Sequence, residues 1–255
     1  VTVSFASLGS GSGGNATLVR VDDTLLLVDV GFSAKEIARR MGQLGVSPEQ
    51  LSAVLISHEH SDHIKGLAVL ARKYRVPVWL TSGTYRRLRD TNFSGVELLH
   101  PHGSLRIGDA RISVFPVPHD AAEPCQYIIG DGHRRFAVAT DMGCVTPHVK
   151  EQLSGVQALL LESNYDDEML RYGPYPPALQ SRIAGSYGHL SNAQAATMIE
   201  SLDHGGLQHL LLGHLSENNN SQECAYNCTA EKLGADDNRL AVLARNEVSR
   251  WFAID

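Results

Sequence analysis

The chain has 255 residues, 43% of them hydrophobic and 20% charged, an ordinary globular composition with enough length to bury a large core. Its formal net charge of −6 excludes the overall basic excess typical of nucleic-acid binders, so attraction to a polyanion must come from a local patch or from bound cations. Four cysteines (Cys125, Cys144, Cys224 and Cys228) are too few for a disulfide scaffold, and no second Cys/His pair adjoins Cys224 and Cys228 to complete a structural zinc site.

Residues 1–8 alternate and favour a strand. The run Gly9-Ser10-Gly11-Ser12-Gly13-Gly14-Asn15 follows as a flexible loop. Strands are expected at 17–21 and 24–30 around a turn at Asp22-Asp23, then a helix capped by Ser33 and running to about residue 44. A short apolar strand at 53–56 leads into a histidine cluster. A helix over 64–74 and a strand over 76–80 come next. In the second half, strands are expected at 110–117, 125–129, 135–139, 156–161 and 209–212, with a helix over 192–202. Residues 240–243 and 248–254 read as a closing hairpin. The Gly/Pro/Tyr-rich stretch 172–187 reads as a surface loop with room for a short helix. Two halves of this kind predict an α/β fold, a β-sandwich with helices outside (αββα), in one domain over residues 1–255.

The strongest signal is Ser57-His58-Glu59-His60-Ser61-Asp62-His63. Alternation puts His58 and His60 on one side of an extended chain, and Asp62 and His63 follow at the start of a helix. Imidazole suits zinc and other first-row ions, and carboxylates balance a second cation. Further ligand-type residues stand just after strands: His119 after 110–117, Asp141 after 135–139 and His214 after 209–212. His102, His133, His148, His204 and His209 match no pattern and receive no role.

With His-x-His-x-Asp-His and the later positions in order, the chain resembles the metallo-β-lactamase superfamily. That resemblance implies two divalent metal ions, zinc or manganese with iron as a further option. His58, His60 and His119 would hold one, Asp62, His63 and His214 the other, and Asp141 would bridge them. Two dications roughly 3.5–4 Å apart share a water and lower its pKa, giving a hydroxide nucleophile. Asp62, His189 and Glu162 are the expected catalytic residues. The stretches around Glu162 and His189 are similar to those of RNase Z-type enzymes, which implies His189 as general acid and Glu162 as the carboxylate that orients it and keeps it protonated.

The motifs Gly9–Asn15, Asp29-Val30-Gly31, Gly173-Pro174-Tyr175-Pro176, Gly188-His189-Leu190-Ser191-Asn192 and His214-Leu215-Ser216-Glu217-Asn218-Asn219 resemble the bacterial YycJ/WalJ group. This implies a 5′-to-3′ DNA exonuclease with a link to DNA repair, and DNA as partner. Ser12 and Asn15, in a loop whose amides can face a phosphate, are candidates for substrate contact. Arg171 and Arg182, flanking the irregular stretch, are candidates for a phosphate clamp. Competing functions on the same cage are a small-molecule phosphodiesterase, favoured by a pocket closed by residues 172–187, and a glyoxalase-type thioesterase. An open basic groove would favour DNA. No signal-like opening and no bilayer-length apolar run are visible, so a cytoplasmic protein without membrane contact is expected.

Overall fold

The computed structural model describes residues 2–234 and 237–255. Its strands form two seven-stranded sheets. The first sheet contains β1 (Val3–Gly9), β2 (Ala16–Val21), β3 (Thr24–Val28), β4 (Ala53–Leu55), β5 (Val78–Thr81) and β6 (Val96–Leu99). The second contains β7 (Ser104–Ile107), β8 (Ala110–Pro116), β9 (Cys125–Gly130), β10 (Arg135–Ala139), β11 (Ala158–Glu162), β12 (His209–Gly213) and β13 (Leu240–Val242). β14 (Phe252–Ile254) returns to pair with β1 in the first sheet. The expected first strand begins at Val1, which lies outside the described residues.

Helices cover both outer faces. On the first sheet lie α1 (Ala34–Gln43) and α3 (Leu67–Tyr74), with the short α2 (Ser61–Ile64) before α3 and α4 (Ser82–Arg87) after β5. On the second lie α5 (Pro147–Leu153), α8 (Asn192–Glu200) and α9 (Gln222–Leu233), while α6 (Asp167–Tyr172) leads into the irregular stretch 172–187 and α7 (Pro177–Ile183) lies within it. The chain therefore has the expected αββα layering.

Period-2 alternation explains the layers. In β3, Leu26 and Val28 face the core between the sheets, while Leu25 and Leu27 face α1 and α3. Phe5 and Phe136 stack between the two sheets with ring centroids 3.9 Å apart. Ala137, Leu159 and Leu210 turn outward to meet α5 and α8.

Two expectations need correction. Residues 240–254 do not form a hairpin: β13 adds in parallel to β12, and β14 adds antiparallel to β1 on the other sheet. Each half of the tail thus covers an otherwise open sheet edge. The helix expected over 64–74 is broken at Gly66, where a Cβ would lie 2.2 Å from the Phe32 carbonyl oxygen. The Gly66 amide donates to Val30 O, which diverts the chain between α2 and α3.

Within each sheet a run of parallel strands (β3 to β6, and β10 to β13) ends at a common rim. Carboxyl ends of parallel strands are where α/β sheets place ligands. Asp29, His58, Asp141, Glu162 and His214 all stand at or just past such ends.

Candidate metal centre

Asp29, Asp141 and His214 adopt positive φ (62°, 58° and 54°), a conformation uncommon for residues with a Cβ. Such strain persists only where the surroundings impose it, and it concentrates at functional sites. Here Asp141 and His214 join one cluster of ligand-type side chains, and Asp29 stands behind it against His63. His58, His60 and His119 bring ligand-type atoms within 4.8 Å of one another. So do Asp62, His63 and His214; so do His58, His63 and Asp141; and so do Asp141, Glu162, His189 and His214.

A layer of hydrogen bonds behind the histidines fixes which ring nitrogen faces inward. His63 Nδ1 donates to Asp29 Oδ2 (2.8 Å). Ser57 Oγ donates to the same carboxylate, so it accepts from His58 Nδ1 (2.9 Å). His119 Nδ1 donates to Gly188 O (3.1 Å). His214 Nδ1 meets Glu162 Oε1 (2.8 Å). In each case Nδ1 is committed outward and Nε2 is the nitrogen turned inward, the orientation a metal-ligating histidine requires once Nε2 has given up any proton it carries.

The donor set fits divalent cations on its own evidence. His58 Nε2, Asp141 Oδ2 and His214 Nε2 are buried and have no hydrogen-bond partner among the described residues, an expensive condition unless a ligand completes them. Burial alone would keep these carboxylates neutral and these imidazoles uncharged. Yet at Asp141 the effect of burial is outweighed by His214 and His63, and its pKa lies well below the carboxylate range. At His214 burial is likewise outweighed by Asp141, Asp62 and Glu162, which push its pKa up to about 10. The cluster demands positive charge, and without it the histidines must carry protons. The donors are imidazole and carboxylate only. Cys125 contacts Tyr127 Oη (3.5 Å), and burial pushes its pKa up to about 12.

Glu162 is a buried hub. Its Oε1 lies 2.7 Å from His189 Nδ1, and its Oε2 accepts from the Met142 and Leu190 amides (3.0 and 3.1 Å). Burial works against a charge on His189, but the adjacent Glu162 carboxylate outweighs it and raises the pKa.

A cavity of about 180 Å³ opens over the cluster, with Ser12, Tyr175, Leu179 and Arg182 among its walls. The other expected substrate contacts are placed differently. Asn15 does not line it: buried, it accepts from the Gly11 amide (2.9 Å) and reaches Asp62 Oδ2 (3.2 Å), bracing the metal loop. The loop expected to be flexible is pinned. The Gly9, Ser10, Gly11, Gly14 and Asn15 amides are all consumed by hydrogen bonds, and Ser10 Oγ accepts from His214 N (2.9 Å). Only Ser12 and Gly13 remain to face a phosphate. Arg182 is already paired with Asp120 (2.5 Å), whose Oδ1 lies 3.5 Å from His119 Nε2. Arg171 lies elsewhere, in a separate hollow with Asp167 and Gln180.

Sequence reasoning gave no role to Asp29, Asp120 or Asn164. Asn164 Nδ2 holds the His214 carbonyl (2.8 Å) from the next strand end. The available signal was position: each follows a strand by one or more residues, as the assigned ligands do.

A family model described as "Beta-lactamase superfamily domain" matches residues 24–215. The chain belongs to the β-lactamase superfamily. It is 39% identical over 225 residues to "Exodeoxyribonuclease YycJ" of Bacillus anthracis, covering 87% of this chain and 85% of the relative. It is 36% identical over 240 residues to "Exodeoxyribonuclease WalJ" of Streptococcus pneumoniae, covering 91% and 89%. The metallo-β-lactamase fold protein YhfI of Bacillus subtilis superposes with a TM-score of 0.75 at 19% identity, covering 98% of this chain and 99% of that one, which shows the fold. With this superfamily and this His/Asp cluster, the chain is a metal-dependent hydrolase. No helix among the described residues is long and apolar enough to cross a membrane.

Proposed function

We propose that the chain is a dinuclear phosphodiesterase that digests DNA from the 5′ end. The observation carrying this reading is the His189–Glu162 pair, 2.7 Å apart at the edge of a cage built without thiolate. The names of the relatives, both exodeoxyribonucleases matched over most of their length, supply the substrate class.

His58, His60 and His119 would hold one divalent ion, Asp62, His63 and His214 the second, with Asp141 between them. When bound, two such ions supply Lewis acidity and a water made acidic enough to serve as nucleophile near neutral pH. Asp62 and Asp141 balance their charge. His189, with Nδ1 committed to Glu162, keeps its transferable proton on Nε2 for the leaving oxygen. Glu162 positions that ring and sustains its charge. Ser12, on the cavity wall, would contact the phosphate. Arg182 reaches it only by sharing or leaving Asp120.

The test is digestion of an end-labelled duplex by protein reconstituted with zinc or with manganese, beside His189→Ala. Stepwise release of nucleotides from the 5′ end, reduced about 10²-fold or more in the variant, is expected. No cleavage of duplex or single strand with both ions bound would overturn the reading. Unchanged cleavage in the variant would remove the general acid. One feature favours a small diester instead: Leu179 and Ile183 of α7 wall the cavity. Turnover of cyclic nucleotides without any of DNA would mark that outcome.

A further inference from the structure

His60 lines two depressions. One is the cavity of the metal centre; the other is a groove of about 460 Å³ running along α2, α3 and the end of α4. Ile64, Leu67 and Leu88 form its apolar lining, and Val69, 52% exposed, stands on its side. Exposed Lys65, Arg87 and Arg89 also line it.

The charges in this groove are unequal in their commitments. Glu59 Oε1 accepts from the Ala122 amide (2.8 Å), and both Asp90 carboxylate oxygens accept from Arg72 Nη1 (2.9 and 2.8 Å). Lys65, Arg87 and Arg89 make no ion pair among the described residues. Three uncommitted cations thus converge beside a phosphodiester site in a chain whose net charge is −6. Elsewhere such side chains would simply be solvated. Here they border a groove that meets the metal centre at His60.

We propose that this groove is the track for the single DNA strand continuing from the phosphodiester held at the metal centre. Lys65, Arg87 and Arg89 neutralise its phosphates, while Val69 and Leu88 give its bases apolar surface. The proposal rests on the phosphodiesterase reading and adds the path of the polymer. It also explains how an acidic protein engages a polyanion, since the attraction is local and salt-sensitive.

The test compares the metal-reconstituted protein with a Lys65→Gln/Arg87→Gln/Arg89→Gln variant. Turnover is measured on a 20-nucleotide single strand and on bis(p-nitrophenyl) phosphate, and strand binding by fluorescence anisotropy against salt. The expected result is a KM for the strand at least tenfold higher, with the small diester changed less than twofold. The slope of log affinity against log salt should become shallower by about 2, since each neutralised phosphate contributes about 0.7 on a single strand. Unchanged KM and slope would overturn the track and leave the phosphodiesterase reading standing. An equal loss on both substrates would trace the defect to the metal centre and overturn it too. If neither substrate is turned over by the parent protein, the phosphodiesterase reading fails, and the binding curves still decide whether the groove holds DNA.

Discussion

His189 and His214 share one oxygen of Glu162, their Nδ1 atoms lying 2.7 and 2.8 Å from Oε1. One carboxylate thus sets the tautomer of a candidate ligand and the protonation of the candidate acid. Burial opposes ionisation of Glu162, yet His189 and His214 outweigh it and bring its pKa down to about 2. Glu162→Gln keeps the shape and removes the charge. Because the carboxylate raises the His189 pKa, its loss lowers that pKa, and the alkaline limb of the pH–rate profile should move to lower pH. Activity at neutral pH should fall about 10–100-fold. A uniform loss at every pH, with the limb in place, would give Glu162 a purely structural role.

Asp29 should tune metal affinity without touching metal. It receives His63 Nδ1, the Ser57 amide (2.8 Å) and the Ser57 hydroxyl, and through that hydroxyl steadies His58. Asparagine tolerates the positive φ at this position, so Asp29→Asn removes charge with little backbone strain. Chelator competition should show about 10–100-fold weaker binding of zinc or manganese. Unchanged affinity would mean that Ser57 and the backbone orient His63 and His58 alone.

Much of this site was legible because several of the candidate ligands follow short apolar runs: 53–56 before His58, 135–139 before Asp141, 209–212 before His214. Burial of the run and polarity just after it are both visible in a sequence. The layering was legible for the same reason. Pairing was not. Adjacent strands are expected to pair with each other, whereas β13 and β14 each complete a different sheet. What selects β14's place is distant in sequence: Phe252 stacks near Phe5, with centroids 5.5 Å apart. β6 and β7 are hard to read because their exposed and half-buried residues, Leu99 apart, give little hydrophobic contrast. Asp29 lay in a quoted motif, but an acid after a strand is as easily a cap as an orienting carboxylate. Its partner His63 stands 34 residues away.

Gly31 should be the least replaceable residue of the connection behind the metal loop. A Cβ there would lie 1.8 Å from the Asp62 carbonyl oxygen and 2.3 Å from the Asn15 amide nitrogen. The Asn15 amide donates to Asp62 O (2.8 Å), and the Gly31 amide donates to Asn15 O (2.9 Å). Backbone, not a yielding side chain, fills the space. Gly31→Ala must therefore shift the segment carrying Asp62 and His63, at about 1–3 kcal/mol or more. At about 2–4 °C per kcal/mol for a protein of this size, Tm should fall by about 2–12 °C or more. Metal affinity should weaken alongside. A variant with parental Tm and metal content would show that the two segments separate freely.

Metal binding should expel protons at neutral pH. His214 has its pKa pushed up to about 10 by carboxylates that overcome its burial, and His63 is raised well above its ordinary value by Asp141, Asp62 and Asp29 against the same burial. Both shifts favour the protonated ring near neutral pH in the metal-free protein. A divalent ion needs the lone pairs those protons occupy, so titration with zinc should release protons. Calorimetry in buffers of different ionisation enthalpy measures the number. The same shifts govern metal-free stability. A histidine whose folded pKa is raised stabilises fully below its unfolded value near 6.5, and that contribution is lost as pH climbs toward the folded value. The metal-free protein should therefore lose Tm from about pH 6.5 upward, whereas the zinc-loaded protein, its charge supplied by the ion, should lose much less over the same range. Proton-neutral binding with parallel pH–Tm curves would mean that the cluster holds its histidines neutral before metal arrives.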